Sequence, residues 1–425
     1  VGDMMKLNSE QEKVIQSNER FLFLLAGAGS GKTRVIVEKI KRILNEGVEP
    51  ESILAITFTR KSAFEMKERI NHPSVHVHTF HQFCYLRLLE NQSKPFTIIK
   101  ETKTSYKKDE LLKISKYKNS LYRTIKPKSY DKYQSELKTN NEKDFDDLLL
   151  DYLNILKKER PMKPYEYLFI DEFQDTNLLQ YEIVKKLINH QTKVLAVGDP
   201  DQSIYQFRGA NSKIIDFFIT EFKASLHTLS INYRSNETII KHANQLIGLN
   251  NRKYKKELIS HSKEKEVVFS LYFKDEIEEA NYLIELIASY LNKGHKPNNI
   301  CVLYRNHFRS YEFKYQLAKS DISFQTNESK EGEQGINLLS IHQAKGLEFD
   351  IVFIIGLEKG VLPSLKNNTQ IEHDEERRLM FVAITRARHH LIFSHVRINS
   401  LNVIQKPSKF IIESGVKHIK KNHLM

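Results

Sequence analysis

The run Ala26-Gly27-Ala28-Gly29-Ser30-Gly31-Lys32-Thr33 constrains this chain more than any other stretch. It follows the apolar segment Phe21-Leu22-Phe23-Leu24-Leu25, which reads as a buried strand. It leads into Val35-Ile36-Val37-Glu38-Lys39-Ile40, which reads as a helix. Strand, glycine-rich loop and helix are the context a phosphate site requires. Closely spaced glycines let backbone N–H groups converge on one anion, the helix N-terminus adds partial positive charge, and Lys32 reaches the outer phosphates. Thr33 is placed to ligate Mg²⁺. The strict pattern has glycine first, where this chain has Ala26, but Gly27, Gly29 and Gly31 keep the backbone permissive. Alone, the loop implies a nucleoside triphosphate and suits a kinase, a GTPase or a transporter ATPase equally.

Charge narrows the field. The 425 residues, enough for two or three domains, carry 66 Lys and Arg against 53 Asp and Glu, a net +13. Such a balance favours an anionic partner. Nucleic acid is the expected one, because no apolar run approaches the roughly eighteen residues of a spanning helix. The first residues also lack a signal peptide's apolar centre, so the expected compartment is the cytoplasm. Cys84 and Cys301 are too few for a disulfide framework, and their neighbours Phe83 and Val302 suggest buried thiols. With no Trp, base stacking falls to the 19 Tyr and 24 Phe.

Along the chain, Asn8 or Ser9 can cap a first helix, with Gln11 or Glu12 completing a capping box. Further strands are expected at Ile53–Phe58, Val75–His78, Tyr167–Ile170 and Val194–Asp199, and helices from Ser62 to Ile70 and along Phe83, Leu86 and Leu89. The spacing of His76, His78, His81 and Cys84 resembles that of metal ligands, but a strand followed by a helix points these side chains apart. Residues 94–143 hold fourteen Lys or Arg against six Asp or Glu, interleaved with Tyr106, Tyr117, Tyr122, Tyr130 and Tyr133. Phosphate neutralisation with base contact, or a solvated helical face over half-buried tyrosines, are the two readings.

Asp171-Glu172 ends the strand at Tyr167–Ile170. There an α/β sheet places a metal-holding carboxylate, Asp171, and a water-orienting base, Glu172. A second α/β pattern begins near Leu226, with strands at 267–273, 300–304, 336–339, 351–355 and 391–394 and a helix over 277–291. It has no phosphate loop. Arg234, Arg305, Arg377, Arg378, Arg386 and Arg388 lie near expected element ends, where one can act as an arginine finger.

Taken together these segments resemble the superfamily 1 DNA helicases of the UvrD/Rep group, in order and across both halves. Gln11 sits at the adenine-reading glutamine, and Ala26, Gly27, Ala28, Gly29, Ser30, Gly31, Lys32, Thr33 and Arg34 at the phosphate loop. Ile56-Thr57-Phe58-Thr59-Arg60-Lys61-Ser62-Ala63 and Thr79-Phe80-His81 resemble segments that contact single-stranded DNA. Asp171-Glu172-Phe173-Gln174-Asp175-Thr176 resembles the magnesium and hydrolysis motif. In Val197 to Ala210, the coupling motif, the resemblance makes Gln202 a γ-phosphate sensor and turns Tyr205, Phe207 and Arg208 to DNA. Asn232-Tyr233-Arg234-Ser235 implies adenine stacking by Tyr233 and a γ-phosphate contact by Arg234. Ile341 to Phe349 implies DNA contact from His342 and a nucleotide contact from Glu348. Glu375 to Ala387 makes Arg386 a second arginine finger.

The resemblance implies two RecA-like P-loop lobes with parallel central sheets. The expected division is 1–92 and 164–228 for the first lobe, 93–163 for a basic, mostly helical insertion, and 229–425 for the second. ATP and Mg²⁺ are the implied cofactors, single-stranded or tailed duplex DNA the partner, and 3′ to 5′ movement the activity. Phe207 replaces the usual Trp. Only a polar stretch, about Ser320 to Gly335, stands where relatives insert an accessory domain. That departure bears on duplex unwinding, not on ATP hydrolysis. It keeps a second reading open: a DNA-stimulated ATPase subunit that partners a nuclease in repair or antiphage defence.

Overall fold

The computed structural model describes residues 6–91, 95–99, 104–158, 164–210, 213–264, 266, 268–326, 329, 334–365 and 368–419. They divide into two compact units, Val1–Ala26 with Gly31–Leu229, and Gly27–Ser30 with Ser230–Met425.

In the first unit, helix α1 (Ser9–Gln16) starts at a closed capping box, Asn8 Oδ1 accepting from Gln11 N and Gln11 Oε1 from Asn8 N. Strand β1 (Phe21–Ala26) and helix α2 (Lys32–Asn45) flank the phosphate loop. Next come β2 (Ile53–Thr57), α3 (Arg60–Ile70), β3 (His76–Thr79) and α4 (Phe80–Asn91). The following segment holds β4 (Thr97–Ile98), α5 (Lys108–Asn119), α6 (Tyr130–Thr139), β5 (Glu142–Lys143) and α7 (Phe145–Lys158). Then β6 (Tyr167–Ile170), α8 (Leu178–Leu187), β7 (Lys193–Gly198), α9 (Ile214–Phe222) and β8 (Ser225–Leu229) complete the unit.

The sheet runs β3-β2-β6-β7-β1-β8, every pairing parallel. Helices cover both faces of such a sheet, which is why its inner strands are unbroken apolar runs. Because β6, β7 and β1 are adjacent, their carboxyl ends deliver Asp171, Asp199 and the phosphate loop to one edge.

Two expectations need correction. The segment at Leu226 is an edge strand of the first sheet, with Phe23 paired to Leu226, rather than the start of the second pattern. Its alternating, half-exposed residues fit an edge. In α4 the core is made by Phe83, Cys84 and Leu88, whereas Leu89 is 47% exposed. The tyrosines of the basic segment pack on each other, Tyr106 on Tyr133 and Tyr117 on Tyr122 and Tyr130. Tyr133, with Leu111, Ile114 and Leu137, forms a small core of its own.

The second unit begins with β9 (Ile231–Asn232), α10 (Glu237–Ile247) and β10 (Ile259–Ser260). It continues through β11 (Val268–Asp275), α11 (Glu276–Asn292), β12 (Ile300–Tyr304), α12 (His307–Leu317), β13 (Phe324–Gln325), β14 (Ile336–Ser340) and β15 (Phe349–Ile354). Helix α13 (Gln370–Ile384), β16 (Ala387–Ile398), α14 (Lys409–Glu413) and β17 (Lys417–His418) follow. Its sheet, also parallel, runs β13-β14-β12-β15-β16-β11-β17. The core gathers Leu271, Phe273, Leu283, Val302, Phe313 and Phe353. Within the polar stretch 320–335, Phe324 and Gln325 already pair with Ile336 and Asn337.

Candidate nucleotide site and nucleic-acid face

The phosphate loop is shaped by its glycines. Gly31, at φ +82°, caps α2 in the left-handed region, and a Cβ there would lie 2.9 Å from Gln11 Nε2. Gln11 is thus buried beside the loop, 1% exposed, on a helix fixed by its own capping box. Thr33 and Arg34 begin α2.

Across the sheet edge, Lys32 Nζ lies 2.7 Å from Glu172 Oε1. Glu172 has φ +52°, a left-handed backbone that costs a non-glycine residue about 1 kcal/mol. Its carboxylate is held at both oxygens, by Lys32 and by Gln174 Nε2. Gln174 Oε1 in turn accepts from Asp199 N at 2.9 Å, and Asp199 Oδ2 accepts from Gln202 Nε2 at 2.6 Å. Asp171, 6% exposed, accepts from Glu172 N through Oδ1 at 2.9 Å. Burial opposes the charge on Lys32, but Glu172, Asp171 and Asp199 together hold its ammonium above the ordinary lysine range. One unit therefore brings Lys32, Asp171, Glu172 and Gln202 into a continuous polar network. Gln174 and Asp199 are the members that motif reading missed. Both lay inside quoted motifs, and their role needed the adjacency of β6 and β7.

The aromatic side chains expected at DNA also assemble within the first unit. Phe58 stacks on Tyr205 with centroids 5.1 Å apart and planes 22° apart, and Tyr205 lies 6.1 Å from Phe207, which is 37% exposed. The side chain of Arg208 lies outside the described residues. Thr79 is buried, and its hydroxyl accepts from Gln82 N. His81 rests edge-on against Phe145, and burial pushes it down to about 4. His76 and His78 face each other at 6.1 Å on β3, and Cys84 is fully buried on α4.

In the second unit the arginines sort themselves by partner. Arg305 is held by Glu376, and Arg377 by Glu413. Arg234 Nε lies 2.6 Å from Glu348 Oε2, and its Nη1 donates to Thr385 O at 3.2 Å. Arg388 takes the other oxygen of Glu348 and reaches Asp350. Arg386 is 1% exposed and donates to Val382 O, Leu347 O and Thr385 Oγ1. Partial burial opposes ionisation of Glu348, yet Arg234 and Arg388 hold it down to about 2. Tyr233 lies against the His261 ring at 4.9 Å. His342 is half-buried in the turn after β14. Among the described residues no helix is long and apolar enough to cross a membrane.

Comparison with known proteins identifies the family. Residues 7–110 and 90–223 match the UvrD/REP helicase N-terminal domain, and residues 227–331 and 321–397 the UvrD-like helicase C-terminal domain. A probable DNA helicase of Mycoplasma pneumoniae is 31% identical, the match covering 99% of this chain and 88% of that protein. ATP-dependent DNA helicases PcrA of Staphylococcus epidermidis and Staphylococcus aureus are each 32% identical over 75% of this chain, which spans 50% of their length. With two α/β lobes of RecA-like type built on parallel sheets, a phosphate loop between β1 and α2 and both domain models matched, this chain belongs to the UvrD-like helicase family.

Proposed function

We propose that the chain is an ATP-dependent DNA translocase and helicase that moves 3′ to 5′ on single-stranded DNA, with hydrolysis coupled to lobe closure, in the cytoplasm. The observation that carries this reading is the chain of contacts from Lys32 through Glu172, Gln174 and Asp199 to Gln202.

Its chemistry suits phosphoryl transfer to water. Lys32 meets the outer phosphates, releasing Glu172 to orient the attacking water, while Gln202 registers the γ-phosphate. Arg234 and Arg386 balance charge that develops in the transition state. Gln11 and Tyr233 select adenine. The hydroxyl of Thr33 and the carboxylate of Asp171 are hard oxygen donors beside the loop, a set that suits Mg²⁺. When bound, that ion supplies positive charge to the phosphates. Phe58, Thr79, His81, Tyr205, Phe207, Arg208 and His342 form the proposed DNA contacts, bases stacking on the aromatic rings.

Lys32→Ala is expected to lower DNA-stimulated ATP hydrolysis about a thousandfold, with an unchanged circular dichroism spectrum. A folded variant that hydrolyses ATP at the parent rate would overturn the assignment. Strand displacement on duplexes with a 3′ or a 5′ tail tests the direction, and displacement from the 3′ tail alone is the expected result.

A further inference from the structure

We propose that Asn119 is a positioning residue that ties the basic insertion to the hydrolysis segment and carries the DNA signal to it. This inference rests on the reading above, and it concerns the insertion, to which that reading assigned no role.

Asn119 is the last residue of α5 and is 4% exposed. Its amide is used at both ends. Nδ2 donates to Asp146 Oδ1 at 2.9 Å and to Ser115 Oγ at 3.1 Å, within the insertion and the start of α7. Oδ1 accepts from Asn177 Nδ2 at 2.9 Å. Asn177 follows directly on Asp171–Thr176 and caps α8, its Oδ1 accepting from Gln180 N. Its backbone pairs with Ala210, the last residue of the segment that carries Tyr205 and Phe207. Gly209, at φ +96°, faces the same side chain, since a Cβ there would lie 3.5 Å from Asn119 Cβ. The insertion, the hydrolysis segment and the aromatic segment therefore meet at one pair of asparagines.

The near side of this junction is stiff. Lys118 Nζ, buried beside Asn119, lies 2.7 Å from both Asp144 Oδ2 and Asp147 Oδ1. Tyr133 OH and Gln134 Nε2 donate to the same two carboxylates. A displacement of α5 or α6 is thus passed on to Asn119 rather than absorbed locally. With fourteen Lys or Arg in residues 94–143, the insertion is the part of the first unit most responsive to a polyanion. Because the same contacts join the two segments, nucleotide binding beside Glu172 should also alter the ordering of α5.

The test measures ATP hydrolysis with and without oligo-dT for the parent, Asn119→Ala, Asn177→Ser and the double variant. Serine keeps the helix cap of Asn177 but removes the amide donor. Asn119→Ala should keep basal hydrolysis within about twofold and lose about fivefold or more of the stimulated kcat, at an unchanged half-saturating oligo-dT concentration. The two single losses should not multiply in the double variant, as expected when both remove one contact. Normal stimulation in Asn119→Ala, or multiplied losses, would overturn the proposal. Hydrogen exchange with Mg²⁺ and a non-hydrolysable ATP analogue provides a readout independent of turnover. Protection of residues 110–119 should change in the parent and not in Asn119→Ala, and no change in the parent would overturn the proposal. A parent that hydrolyses ATP without any response to DNA would count against the proposed function, and exchange would still decide the role of Asn119.

Discussion

The two lobes treat their functional charges in opposite ways. In the first, one cation, Lys32, sits among three carboxylates, Glu172, Asp171 and Asp199, at the edge of a buried sheet. In the second, one carboxylate, Glu348, is shared between Arg234 and Arg388, and Arg386 is spread over carbonyl and hydroxyl oxygens. The first arrangement has an excess of acid around a single ammonium. The second has an excess of guanidinium, which takes up both oxygens of Glu348.

Removing the acid of the first lobe should have the largest effect. Glu172→Gln keeps the shape of the side chain but removes the base and leaves one acceptor where the carboxylate offered two, and kcat is expected to fall about a thousandfold with nucleotide binding retained. Single-turnover hydrolysis checks it, and a fall of less than tenfold would deny Glu172 its place. Gln174→Ala should cost less, about ten- to a hundredfold in kcat with little change in KM, because it releases both the Glu172 carboxylate and the Asp199 amide without removing either.

Two carboxyl groups sharpen the comparison through pH. Burial and the neighbouring Asp144 push Asp146 in the first lobe up to about 7. Its folded-state value lies above the unfolded one, so the folded protein keeps the proton longer. Stability from this group is greatest below about pH 4 and falls as pH rises towards 7. Asp146→Asn should flatten that slope in urea titrations run from pH 4.5 to 8. Glu348 behaves in the reverse sense. Held down to about 2, it contributes stability above the ordinary glutamate range that disappears as pH falls from about 4.5 to 2. Its partial exposure makes this the smallest effect. Glu348→Gln should remove the acid-side dependence of thermal unfolding, and an unchanged acid limb would show that the arginines do not need it.

Much of the fold was legible because its evidence is local. Unbroken apolar runs mark strands covered on both faces, and the phosphate loop and the Asp171-Glu172 pair each occupy a few consecutive residues at strand ends. What escaped depends on contacts between distant residues. The strand at Leu226 belongs to whichever sheet offers it a neighbour, and that neighbour, β1, lies about two hundred residues earlier. The pairing of Glu348 with Arg234 and Arg388 joins side chains 114 and 40 residues apart. Which of the two readings of the tyrosines among the lysines applies depends on how α5 and α6 pack, and their rings meet edge to face.

The connection between Gln325 and Ile336 has a wider consequence. Phe324 and Ile336 are register partners on adjacent strands, so the two ends of residues 326–335 are anchored side by side by the sheet itself. A segment leaving and returning at such a point need only have its own ends close together. The entropic cost of lengthening it grows only with the logarithm of its length. At that point added length need not disturb the register of β13 on β14, which is fixed by the pairing of Phe324 with Ile336 and Gln325 with Asn337.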